Sequence, residues 1–162
     1  MPDFAFNIDV PVRSEWSNVD LLITSVENCF AAMFADVDGC HTIAMVTGEL
    51  LENAIKYGDW THGARVFRLH VTGRAKHATV SVENPIGKDS KAAEELFATL
   101  RWLEGYKSPD EAYRARLLEV ANGPRGGSVS KLGLVRIAYE ANCKIRAERK
   151  EDVISVTAEM SL

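Results

Sequence analysis

Glu49 and Asn53 stand four residues apart in the stretch Glu49-Leu-Leu-Glu-Asn53-Ala-Ile-Lys56-Tyr57, with Lys56 and Tyr57 three and four residues further on. On a helix that spacing sets all four side chains along one side, a polar stripe bordering an apolar one. A carboxylate and an amide oxygen so placed suit a metal–phosphate site. Mg²⁺ takes octahedral oxygen ligands, keeps several waters and needs only one or two protein groups. Asn53 would then be the metal ligand, leaving the Glu49 carboxylate to act as a base. The same residues could equally be the solvated face of an ordinary helix, with Glu52 and Lys56 as an i,i+4 pair contributing about 0.2–0.5 kcal/mol. Two other stretches carry candidate chemistry. Val82-Glu83-Asn84-Pro85-Ile86-Gly87 follows an alternating run and also reads as a strand ended by a plain Asn-Pro turn. Gly126-Gly127-Ser128-Val129-Ser130-Lys131-Leu132-Gly133-Leu134 is a glycine-containing loop entering a helix, or a simple connector with Ser130 as N-cap.

These residues need elements to hold them. Phe4, Phe6, Ile8, Val10 and Val12 recur at every second position, the period of a strand with one buried face. From about Glu15 to Phe34, Val19, Leu22, Ile23, Val26, Phe30 and Met33 fall at helical spacing. Asp36 to Gly39 breaks that helix, and a second runs from about Cys40 to Tyr57 on the stripe Ile43, Val46, Leu50 and Ala54, ended by Gly58. Phe67 to Val71 and Thr79 to Glu83 alternate as a strand pair around a turn at Gly73 to His77. An insert from about Lys88 to Gly127 carries helical stretches near Lys91–Leu103 and Pro109–Ala121, and the spacing predicts a mobile last part at Asn122-Gly-Pro-Arg-Gly-Gly127. A helix from about Lys131 to Asn142, a strand from Cys143 to Arg149, a turn at Lys150 to Asp152 and a strand from Val153 to Met160 close the chain. Strand, two helices, two strands, a helical insert, a helix and two strands is no regular alternation. It predicts a two-layer α/β sandwich, a mixed, mostly antiparallel sheet with helices on one face.

Composition bounds the function. With 162 residues, 46% of them hydrophobic, one domain spanning the whole chain can bury roughly two-thirds of its unfolded surface in a single core. A net charge of -4 argues against a nucleic-acid binder, which needs a clustered cationic face. Three widely spaced cysteines, Cys29, Cys40 and Cys143, suit a reduced compartment and lack zinc-site spacing. No basic-then-apolar leader opens the sequence and no apolar run approaches the roughly 20 residues of a membrane span, so the expectation is a cytoplasmic protein away from membranes. His41, His62, His70 and His77 are scattered and read as surface or satisfied polar residues. No G-x-S-x-G elbow or Cys/His pairing suggests a hydrolase.

The Glu49–Tyr57 stretch resembles the N box of the GHKL (Bergerat-fold) ATPases, E-x-x-x-N-A-x-K-[HY], and sits in the second helix, where that class has it. The chain looks like the small stand-alone members of the class, the bacterial anti-sigma-factor serine kinases, over nearly all its length. The resemblance implies a histidine-kinase-like ATPase domain that binds ATP and Mg²⁺, with Glu49 as general base and Asn53 as Mg²⁺ ligand. Lys56 would belong to the same cofactor-binding set. Where the class has D-x-G-x-G, this chain has Glu83 at the aspartate, which would accept the adenine hydrogen bond, Pro85 at the first glycine, and Gly87 for backbone clearance. Where it has G-x-G-[LF], Lys131 takes the first glycine position and Gly133-Leu134 fit. Arg125 and Lys131 would hold the phosphates, and the insert over about 88–130 would act as a mobile lid. The implied activity is phosphorylation of a serine or threonine on a small regulatory partner: an antagonist-like domain, a sigma factor or a response regulator. A non-catalytic module of the same fold that sequesters its partner by surface contact is the alternative, a homodimer is open, and an ATP-driven conformational switch would need a transducer domain.

Overall fold

The computed structural model describes residues 3–11, 19–33, 36–61, 66–74, 76–88, 90–123 and 132–162. Five strands, β1 (Phe4–Pro11), β2 (Val66–Arg74), β3 (His77–Pro85), β4 (Lys144–Lys150) and β5 (Val153–Ser161), form one sheet in the order β1-β2-β3-β5-β4. All four pairings are antiparallel, so the mostly antiparallel sheet expected from the sequence is wholly so among the described strands. Alternation decides which face is buried. Phe67, Leu69 and Val71 of β2, Val80 and Val82 of β3, and Ile154, Val156 and Ala158 of β5 are all buried, while their neighbours Arg68 and His70 are exposed. Among the described elements, helices cover one face, as the two-layer sandwich requires.

Helix α2 (Val37–Tyr57) lies across that face through Ile43, Val46, Leu50 and Ala54, joined in the same core by Val26 and Phe30 of α1 (Val19–Met33). It begins three residues before the position expected from its apolar stripe. Asp36 is its N-cap, accepting from the Gly39 N–H at 3.1 Å, so the Asp36–Gly39 segment starts a helix as well as separating two. At the other end the Gly58 N–H returns to the Ala54 carbonyl. Gly73, expected in a turn, is inside β2 opposite Phe4. A Cβ there would run into the Phe4 ring, so only glycine lets the edge strand β1 lay that ring on the core.

The insert holds two capped helices, α3 (Lys91–Glu104) and α4 (Pro109–Asn122), with Ser90 and Ser108 as N-caps and Pro109 in the first turn of α4. Helix α5 (Leu132–Glu140) follows, and the chain leaves it through Asn142 at φ 44°, a left-handed conformation that asparagine tolerates. Among the described residues no helix is long and apolar enough to cross a membrane. The expected beginning of α1 at Glu15, the residues Arg125 and Lys131, and the end of the insert at 124–130 lie outside the described residues.

Candidate functional site

The C-terminal half of α2 and the start of α5 face each other across a polar cleft of about 320 Å³, lined by Glu49, Glu52, Asn53, Lys56, Leu132, Gly133 and Arg136. Glu49 and Asn53 share it because four helical residues bring side chains back to one side. The Glu49 side chain is only 17% exposed, and its Oε1 forms an ion pair with Nη2 of Arg136 at 2.5 Å. Burial pushes the Glu49 carboxyl above its ordinary range; Arg136 pulls the other way, and Glu52 and Glu140 add to the rise. On its other side a Cβ at Gly133 would collide with Glu49 Oε2, so glycine there is what admits the carboxylate against α5. Nδ2 of Asn53 is buried and has no hydrogen-bond partner among the described residues. Because an asparagine amide can be turned over, that position offers either an amide N–H or a carbonyl oxygen. Lys56 is exposed at the rim, 5.2 Å from the Tyr57 ring centroid.

Asn53 also belongs to a second space, a narrow and largely apolar slot of about 60 Å³. Its walls are Leu50, Ala54 and Tyr57 of α2, Val82 and Asn84 of β3, Ile154 and Val156 of β5, and Leu134 of α5; its roof is α3 with Ala92, Ala93, Leu96 and Thr99. Slot and cleft therefore meet at one side chain. The slot's far end is tied down: Asp59 N–H donates to the Pro85 carbonyl at 2.8 Å, and Ile86 N–H donates to Asp152 O at 2.8 Å.

The structure corrects one residue. Glu83 points away from the slot, on the open face of the sheet, where it pairs with Arg68 at 3.2 Å. Strand alternation makes this unavoidable, since Val80 and Val82 face inward and Asn84 must follow them. Asn84, 4% exposed, is the polar side chain that β3 turns to the slot, with Nδ2 donating to the Pro85 carbonyl at 3.1 Å. The sequence carries the signal for it in the parity of Val80, Val82 and Asn84. Gly87 lies beyond the slot. A Cβ there would meet only the Asp59 carboxylate at 3.8 Å, so no close approach within the protein itself demands glycine at this position. Arg136 falls in no motif, and only the packing of α5 on α2 reveals it.

No family model and no curated protein matches the chain. Among solved structures, a chain of the SiaB–SiaC complex from Pseudomonas aeruginosa superposes with a TM-score of 0.66, covering 96% of this chain and 88% of that one at 17% sequence identity. At that identity the likeness is one of fold.

Proposed function

We propose that the protein binds Mg-ATP and regulates a small partner protein, phosphorylating a serine or threonine on it in the manner of an anti-sigma-factor kinase. One observation carries the reading: Asn53 stands where an apolar slot roofed by α3 opens into a polar cleft fit for phosphates, with the Glu49 carboxylate one helical turn away. The residues fit the ligand. The Asn53 Nδ2 has no hydrogen-bond partner among the described residues, Gly133 leaves the Glu49 carboxylate room, and one amide oxygen is the kind of protein ligand that Mg²⁺ accepts alongside water and phosphate. Mg-ATP would supply the transferable phosphoryl group and the metal charge that offsets it. For the chain's own part, Asn53 presents its amide oxygen, Lys56 lends positive charge at the rim, and Glu49 Oε2, the oxygen turned towards Gly133, takes the proton of the acceptor hydroxyl. A carboxyl held above its ordinary range by burial is suited to accepting that proton. Transfer of this kind needs positioning and electrostatics more than covalent help, so few residues suffice. Arg125 and Lys131 keep the phosphate-holding role that the sequence suggests.

The slot at about 60 Å³ is far narrower than small-ligand sites, which run about 300–1,000 Å³. Entry of a ring therefore requires α3 to move outward, which gives α3 the role of a lid. A structural neighbour drawn from a two-protein complex supports the partner side of the proposal.

Calorimetric titration with ATP in the presence of Mg²⁺ tests the site. Wild type should bind one equivalent, Asn84→Ala should weaken binding by about tenfold through the loss of a buried polar contact, and Glu83→Gln should leave it within about twofold, as a distant surface change does. Failure of wild type to bind would refute the proposal, and a larger loss with Glu83→Gln than with Asn84→Ala would put the base on the wrong face of β3.

A further inference from the structure

Helix α5 brings Gly133, Arg136 and Glu140 to one side at intervals of three and four residues, and this side faces Glu49. Arg136 has an i,i+4 partner of its own in Glu140, yet Nε stays 3.9 Å from that carboxylate while Nη2 reaches across to Glu49 at 2.5 Å. The preference leaves Nε buried and without a hydrogen bond among the described residues. A guanidinium that forgoes its near neighbour for a carboxylate on another helix is placed for that carboxylate. It also sits in the wall between two clefts. One is the cleft of Asn53 and Lys56, and the other, of about 270 Å³, lies between α1 and α2 and includes Ile23, Glu27, His41, Met45 and Gly48. Glu49, Glu52 and Arg136 line both.

We infer that Arg136 is the positioning residue of Glu49: it fixes the carboxylate by Oε1, leaves Oε2 towards Gly133, and offsets its charge so that nucleotide phosphates can lie beside it. This rests on the proposed Mg-ATP site. Without Arg136 the phosphates would meet Glu49 and Glu52 with only Lys56 as a cation among the described residues lining that cleft. Like charges at such range repel strongly where water is partly excluded.

The test is a double-mutant cycle read by Mg-ATP affinity, with urea unfolding of each variant alongside. Arg136→Gln should weaken Mg-ATP by about tenfold when Glu49 is present and by less than about twofold in the Glu49→Gln background, because the coupled charge is then gone. Arg136→Lys, which keeps the charge without the planar fork, should recover affinity to within about threefold of wild type. A role confined to tethering α5 to α2 would lower urea stability without moving affinity in either background, and that result overturns the inference. So does an equal loss of affinity in both backgrounds, which would put Arg136 on the nucleotide itself. Absence of Mg-ATP binding by wild type is a different result: it removes the site, and the positioning role with it.

Discussion

Replacing Glu49 by glutamine is expected to leave Mg-ATP affinity within about twofold of wild type while cutting phosphoryl transfer to the protein acceptor by roughly 10² to 10⁴. Glutamine keeps the size and polarity of the side chain and can still place an amide oxygen beside Arg136 Nη2, so the cleft should hold its shape. What it cannot do is take a proton from the acceptor hydroxyl. Glu49 is well placed to do so, being largely enclosed, lining the cleft with Asn53, and having a carboxyl raised chiefly by burial. The assay uses radiolabelled ATP and a purified acceptor, with an antagonist-like domain as the first candidate. Transfer by Glu49→Gln at the wild-type rate would exclude Glu49 as the base. Partner binding without transfer by wild type would favour the surface-contact module.

Phe30→Ala should cost about 3–5 kcal/mol of folding stability, the range for truncating a fully buried phenylalanine. Its ring has no exposure and meets Phe4 edge-on at 5.6 Å and Phe6 at 6.2 Å. Those two rings come from β1, an edge strand whose only partner among the described strands is β2. Phe30 is thus the point where α1 and the edge strand are fastened to the core, and its loss opens a cavity under both. Against a typical total of about 5–15 kcal/mol the change is large. Urea unfolding measures it, and a loss below about 1 kcal/mol would mean that α1 and β1 can close over the missing ring.

The same elements explain what is and is not legible in the sequence. Period-two alternation locates β1, β2, β3 and β5 because each turns one apolar face to the core, and the Ile43, Val46, Leu50 and Ala54 stripe locates α2 because it lies on that face. The start of α2 is less legible: Val37 and Asp38 are exposed, so the apolar stripe begins after the helix does, and only the Asp36 cap marks the true end. Within the site, Glu49 and Asn53 are readable because helical spacing alone puts them together. Motif position places Glu83 at the slot, whereas strand parity points to Asn84, and parity wins because the sheet has one dry face. Arg136 is invisible in the sequence, since its relation to Glu49 spans 87 residues and depends on how α5 packs against α2. Gly133 is identifiable from a loop motif, but its structural reason is the Glu49 carboxylate it makes room for.

The magnesium increment of ATP affinity, compared between wild type and Asn53→Ala, is the decisive measurement for the Mg-ATP site. Asn53 faces the cleft and the slot rather than the core, and its Nδ2 has no partner to lose among the described residues, so the variant should fold normally. Calorimetry with and without Mg²⁺ should show tighter binding with the metal in wild type by about tenfold or more, as expected for a ligand oxygen contributing to a hard cation's octahedral shell. In Asn53→Ala the metal should make no difference to affinity. An increment of the same size in both proteins would contradict the assignment of Asn53 to the metal, and with it the reading of this cleft as the Mg-ATP site.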